Sequence, residues 1–165
     1  MGTEIERKFL VKTGEWRSGA AGRRMQQGYL STEPERTVRV RLDGERGWLT
    51  IKGRNVGASR PEFEYAIPPE DARQLLTLCQ PPLIDKTRYR IPHQGHTWEV
   101  DEFHGDNAGL IVAEVELTAE DEEVVLPGWV GADVTGDAAY YNSSLIQRPY
   151  RTWPHAAEGE GSEAG

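Results

Sequence analysis

Glu4, Glu6 and Lys8, in the stretch EIERKFLV, fall on alternate positions near the start of the chain. An extended segment sends alternate side chains to one face, so two carboxylates and an ammonium share a side. The same charge-x-charge spacing recurs downstream as Arg39 with Arg41, Glu62 with Glu64, and Lys86 with Arg88 and Arg90. It appears again as Glu99 with Asp101 and Glu114 with Glu116, while Lys52 lies on the face opposite Leu49 and Ile51. Rows of Arg and Lys suit phosphate oxygens, Arg offering a bidentate fork and Lys a compact charge. Carboxylates do not contact phosphate directly, but they hold Mg²⁺ or Mn²⁺, which bridge to it. Together the two sets of charges fit a ligand that is linear, highly anionic and metal-complexed. A triphosphate, inorganic or organic, meets that description.

Such a constellation needs strands to position it. Strand-like segments cover about 4–11, 25–31, 37–42, 47–52, 62–67, 85–91, 97–103 and 110–117. Short turn segments, Asp43 to Gly47 and His93 to His96, separate several of them and suit hairpins. Eight strands joined mainly in sequence order predict an antiparallel meander closing into a barrel. Ala72, Leu75, Leu76 and Cys79 follow Pro68 and Pro69 at helical spacing. Thr118-Ala119-Glu120-Asp121 reads as a second helix start, and Tyr140 to Gln147 as a last helix. The fold class expected is α+β, an eight-stranded antiparallel barrel with a polar interior and helices packed outside.

A half-buried sheet with solvated outer charges is the common alternative for alternating strands. Two features oppose it here. Surface strands usually mix Thr, Ser and Gln with their charges, whereas this chain repeats one motif strand after strand. The helices also need an apolar surface, and the opposite parity supplies Val38, Val40, Phe63, Tyr65, Tyr89, Trp98, Val100 and Val115. Helices on those faces turn the charges inward. A dry interior would make that prohibitive, but a hydrated tunnel holding a polyanion and metal ions would not.

The 165 residues suit one domain over 1–154, with an acidic Gly/Ala-rich stretch at 155–165 read as a disordered tail. A net charge of −8 argues against nucleic-acid binding, and no run of apolar residues is long enough for a membrane helix. Lone Cys79 excludes an internal disulfide and reads as a buried, inert thiol. With no signal peptide evident, the expected location is cytoplasmic, with a homodimer left open. His93 and His96 flank a turn and are expected to be solvent-exposed. No P-loop motif occurs.

The ordered series resembles the CYTH-domain proteins of the triphosphate tunnel metalloenzyme superfamily. The matching residues are Glu4, Glu6 and Lys8, then Arg39 and Arg41, Lys52, Glu62 and Glu64, Lys86 and Arg88, Glu99 and Asp101, and Glu114 and Glu116. Asp133-Val134-Thr135-Gly136-Asp137, followed by Tyr140 and Asn142, is similar to the family's C-terminal signature. The resemblance implies a triphosphate substrate and Mg²⁺ or Mn²⁺. It implies metal ligation by Glu4, Glu6 and Glu116 with Glu114 close by, and phosphate contacts from Lys8, Arg39, Arg41, Lys52, Lys86 and Arg88. It places Glu64, Asp101 and Lys8 at the reacting centre, the two carboxylates holding a second metal or orienting water. Tyr29 shares the parity of Gln27 and is a candidate to reach the tunnel. Where members often have a basic residue before the C-terminal tyrosine, this chain has Ala138 and Ala139. Asn142 and Tyr140 are expected to anchor the last helix. Inorganic tripolyphosphate hydrolysis is the favoured reading. Thiamine or nucleoside triphosphate hydrolysis, adenylate cyclisation and non-catalytic polyphosphate binding are the alternatives.

Overall fold

The structure is a computed structural model that describes residues 2–17 and 21–154, so the stretch read as an acidic tail lies outside the described residues. Eight strands form where the alternation places them: β1 (Gly2–Val11), β2 (Gly22–Ser31), β3 (Thr37–Asp43), β4 (Arg46–Lys52), β5 (Ser59–Ile67), β6 (Ile84–His93), β7 (His96–Phe103) and β8 (Ile111–Glu116). A ninth, β9 (Val130–Asp133), was not evident from the sequence.

The order β5-β4-β3-β2-β6-β7-β8-β1 closes on itself through an additional β1–β5 pairing, and every pairing is antiparallel. The first strand is the seam. Its residues Gly2–Ile5 pair with β5, and Glu6–Leu10 pair with β8. The simple meander expected from the sequence therefore holds within β2–β5 and β6–β8, but β1 and β6 reach their neighbours by crossovers. The β6–β7 hairpin turns through Gln94 (φ 48°) and Gly95 (φ 86°), two left-handed residues of the sort that matches the twist of paired strands.

Parity sorts the barrel as expected. Phe9, Trp98, Val100, Ala113 and Val115 face outward and pack beneath Trp16, Leu117, Trp129 and Val130. Trp98 meets Phe9 at 5.6 Å and Trp129 at 5.8 Å between ring centroids. Helix α1 (Pro69–Leu76) packs Ala72 and Leu76 against Val40. Glycines admit this cover closely. A Cβ on Gly28 would sit 2.7 Å from the Cβ of Cys79, and one on Gly47 would sit 2.8 Å from the Cβ of Ala72. Cys79 is buried, as expected, and burial raises its thiol pKa.

Helical cover is less complete than the sequence implied. The Trp98 region is roofed by the segments around Trp16 and Trp129, and α2 (Asn142–Gln147) lies with Leu145 and Ile146 against Ile84, Phe103 and Val112. Over β4 and β5, Ile51, Phe63 and Tyr65 stay exposed. β9 adds a clasp that explains Arg7, an outward charge on β1: its guanidinium pairs with Asp133 at 3.0 Å and lies over the Phe9 ring. No helix among the described residues is long and apolar enough to cross a membrane.

The second helix start is corrected. Residues 118–121 form a turn, and the Glu122 carboxylate folds back to accept from the backbone N–H and hydroxyl of Thr118. β-Branched Val124 and Val125 and then Pro127 disfavour continuing as a helix. The same carboxylate pairs with His96 Nε2 at 2.7 Å, so His96 is half-buried rather than solvent-exposed. The Thr118 backbone N–H, His96 and the Thr118 hydroxyl together lower the Glu122 pKa to about 2. A carboxyl depressed on folding contributes stability that is present above its unfolded pKa and lost as pH falls through the folded one. Glu122→Gln should therefore lower the thermal midpoint near neutrality and flatten its decline between the ordinary carboxyl range and about pH 2. Midpoints across that range check it, and a variant that tracks the parent throughout would remove Glu122 as the anchor of this turn.

Candidate functional site: a charged tunnel

Inward parity lines a cavity of about 300 Å³ with Glu4, Glu6 and Lys8 of β1, Arg39 and Arg41 of β3, Lys52 of β4, and Arg60, Glu62 and Glu64 of β5. β6 adds Lys86, Arg88 and Arg90, while β7 and β8 add Glu99, Glu114 and Glu116. Tyr29 does reach it, and Tyr141, Asn142 and Ser143 form one end. Burial grades along β6, from 3% side-chain exposure at Lys86 to 67% at Arg90, so the mouth lies by Arg90 and Glu99.

Ion pairs hold these charges apart from water. Lys52 Nζ lies 3.1 Å from Glu4 Oε1 and 3.7 Å from Glu62, and Arg60 Nε reaches the same Glu4 oxygen at 3.4 Å. Burial works to raise the Glu4 pKa, but Lys52 and Arg60 outweigh it and hold Glu4 low. Lys8 Nζ pairs with Glu114 at 3.3 Å and donates to the Tyr140 carbonyl. Arg88 grips Asp101 through two hydrogen bonds of 2.7 and 2.9 Å and also meets Glu99 at 3.1 Å. Lys86 Nζ lies 2.9 Å from Asp101 and donates to Asn142 Oδ1 at 2.9 Å.

Two regions remain electrostatically unbalanced. Glu6 is pushed well above the usual carboxyl range by burial, then by Glu114 and Glu4. Burial also raises Glu116, with Glu4, Glu62 and Glu99 adding to it, and raises Glu62, with Glu4 adding to it. This is a patch short of positive charge. On the other wall, burial and then Arg39 and Arg88 push Arg41 down to about 10. Arg39 and Arg41 share Glu64 at 3.4 and 3.7 Å, yet the buried Nε of each has no hydrogen-bond partner. A buried N–H without a partner costs free energy that an incoming acceptor recovers. That wall is short of negative charge.

Among the sequence-predicted residues, Glu4, Glu6, Lys8, Arg39, Arg41, Lys52, Glu64, Lys86, Arg88, Glu114 and Glu116 line one cavity. Asp101 does not. Its carboxylate is enclosed between Lys86 and Arg88, which overcome the burial penalty and hold its pKa far below the usual range. Arg60 was missed, although it continues the Glu62 and Glu64 parity two residues earlier. Tyr141 and Ser143 were missed because the segment that brings them has no strand period. Asn142, expected only as an anchor, accepts from both Gln27 and Lys86 in the cavity floor.

The described residues contain no group of three His, Cys, Asp or Glu poised to hold a metal ion by themselves. Carboxylate oxygens are nonetheless the hard donors that Mg²⁺ and Mn²⁺ take, and Mg²⁺ is commonly held by one or two carboxylates plus substrate phosphates. The patch around Glu6 and Glu116 fits a metal acquired together with its anion.

The chain matches the CYTH domain over residues 2–150. It is 46% identical over 154 residues to an inorganic triphosphatase of Acetivibrio thermocellus, spanning 93% of this chain and 99% of that one. It is 36% identical over 151 residues to an inorganic triphosphatase of Nitrosomonas europaea, spanning 87% and 96%. Among solved structures, the inorganic triphosphatase NE1496 superposes with a TM-score of 0.62 at 32% identity, over 86% of this chain and 96% of the other.

Removing one partner of a buried ion pair strands the other and costs about 3–5 kcal/mol. Asp101→Asn leaves Lys86 and Arg88 without their main counter-charge, so it should lower the unfolding free energy by about that much, read in urea as a lower midpoint at unchanged slope. An inorganic polyanion should restore part of it. If stability is kept and only turnover is lost, Asp101 acts at the reacting centre instead.

Proposed function

The chain belongs to the CYTH domain family, and we propose that it is a divalent-metal-dependent hydrolase cleaving the terminal phosphoanhydride of inorganic tripolyphosphate. The observation that carries this reading is the opposition of two incomplete walls in one cavity, Arg39 and Arg41 with unpartnered N–H groups facing a carboxylate patch short of cations. A triphosphate with bound metal completes both at once. The two curated relatives are inorganic triphosphatases, which agrees.

Phosphoryl transfer asks the protein mainly for positioning and charge stabilisation. Arg39, Arg41, Lys52, Lys86 and Arg88 neutralise and orient the chain, and Lys8 holds phosphate beside Glu114. Asp101 fixes the Lys86 and Arg88 heads rather than touching substrate. Glu4, Glu6, Glu114 and Glu116 would hold Mg²⁺ or Mn²⁺, and Glu64 orients water from beside Arg39 and Arg41. When bound, the metal would supply positive charge that stabilises the transferring phosphoryl group. The single cysteine suits a reducing cytoplasm.

The test is a phosphate-release screen with tripolyphosphate, ATP and thiamine triphosphate, each with and without Mg²⁺ or Mn²⁺. Tripolyphosphate should be cleaved fastest and only with metal. Pyrophosphate from ATP would indicate cyclase chemistry instead, and tight binding without turnover a binding module. Glu6→Gln should abolish metal-dependent turnover with the fold intact, and full turnover would remove Glu6 from the metal set. Arg41→Ala should lower kcat by about 100- to 1000-fold, the usual cost of deleting one preorganised charge-stabilising donor. In calorimetry, Mg²⁺ should bind appreciably only with tripolyphosphate present. Tight binding of the metal alone would show a preformed site.

A further inference from the structure

We propose that Thr50 is a positioning residue that pins one oxygen of Glu64 and leaves the other to take the attacking water. The inference rests on the hydrolase reading above and adds how this chain aims its water-orienting carboxylate.

Thr50 stands opposite Arg39 in the β3–β4 register and opposite Glu64 in the β4–β5 register. Inward parity therefore sets a guanidinium, a hydroxyl and a carboxylate side by side across neighbouring strands. Amid these charges Thr50 is neutral, and it is 1% exposed. Being β-branched, it has few rotamers, so its hydroxyl stays where the backbone puts it.

That hydroxyl bridges its two neighbours. Thr50 Oγ1 donates to Glu64 Oε2 at 2.9 Å and accepts from Arg39 Nη2 at 3.2 Å. Arg39 Nη2 also reaches Glu64 Oε2 directly at 3.4 Å, and Arg41 Nη2 stands 3.7 Å from the same oxygen. All of these contacts converge on Oε2. Oε1 accepts no hydrogen bond from any described residue, although Glu64 lines the cavity and its side chain is 35% exposed. A carboxylate is planar with an acceptor oxygen on each side, so tying Oε2 to the wall turns Oε1 toward the hydrated space.

The arginines alone would not secure this pose. Their contacts with Glu64 are the longer ones, and a phosphate arriving at Arg39 and Arg41 competes for the same N–H groups. Thr50 is buried and has no such rival, so it keeps Oε2 satisfied while the guanidiniums turn to substrate.

With substrate seated, a water donates one hydrogen bond to Glu64 Oε1. Its oxygen bonds to phosphorus as that proton passes to Oε1. The bridging P–O bond breaks, the leaving phosphate keeps the bridging oxygen, and the Glu64 carboxyl returns its proton to solvent. A carboxylate free to rotate would hold the water in several poses, and a misplacement of about 1 Å costs on the order of 100-fold.

The experiment compares the parent, Thr50→Val, Thr50→Ser, Glu64→Ala and the Thr50→Val/Glu64→Ala double variant on tripolyphosphate with Mg²⁺. Thr50→Val keeps the shape and removes the hydroxyl, so kcat should fall about 10- to 100-fold with KM held within about twofold. Thr50→Ser, which returns the hydroxyl, should recover most of that loss. With no carboxylate left to aim, Thr50→Val should cost nothing further on the Glu64→Ala background. Without metal, tripolyphosphate should bind Thr50→Val as it binds the parent in calorimetry. In urea, the midpoint shifts of Thr50→Val and Glu64→Ala should not add in the double variant. The assignment is overturned by a Thr50→Val that keeps its kcat, or by a loss that persists undiminished on the Glu64→Ala background. Weaker metal-free binding would overturn it as well, by tying Thr50 to Arg39 instead. Should the parent release no orthophosphate, the hydrolase reading fails, while the urea midpoints still decide whether Thr50 holds Glu64.

Discussion

Everything in this molecule answers to the cost of placing charges inside a barrel. A β-strand gives each residue only two directions, so a strand that buries Phe9 or Val100 outside must send Lys8 or Asp101 inside. Isolated charges there would be prohibitive, and pairs offset that cost only when geometry is good. The interior solves this by adjacency. Lys8 stands opposite Glu114 in the β1–β8 register, Arg88 opposite Asp101 in β6–β7, and Lys52 opposite Glu62 in β4–β5. Strand pairing itself delivers the counter-charge.

That neutralisation is incomplete by design of the residues rather than by accident of packing. Asp101 saturates Lys86 and Arg88 at the floor, while Glu64 is shared between two arginines and Glu6 has only other carboxylates to raise its pKa beyond what burial does. A protein selected only for stability would close such gaps. Left open on facing walls, they specify the ligand by what is missing, a chain of negative groups with a small hard cation.

The inward residues were legible because the strand period is two and charge is conspicuous against it. Legibility failed where geometry came from elsewhere in the chain. Arg7, an outward charge on β1, is accounted for only by Asp133 of β9, 126 residues away. Arg60 escaped because Pro61 obscured where β5 begins, although its parity was right. Thr118 to Asp121 offered real capping chemistry, but Glu122 used it to close a turn. Tyr141 had no periodicity to betray it, since the segment bearing it packs across the end of the barrel. The crossovers of β1 and β6 were equally hidden, because hydrophobic alternation fixes faces and not neighbours.

The seam formed by β1 has a bearing on how the chain comes together. β1 can find no barrel partner until β5 and then β8 exist, so its contacts are among the most distant in sequence. Two hairpin assemblies, β2–β5 and β6–β8, can form beforehand by local pairing. Until the seam shuts, Glu4, Glu6 and Lys8 remain hydrated and the other interior charges face an open trough rather than a tunnel. Desolvation of the site is thereby deferred to the closing event, when every counter-charge is already in place to receive it.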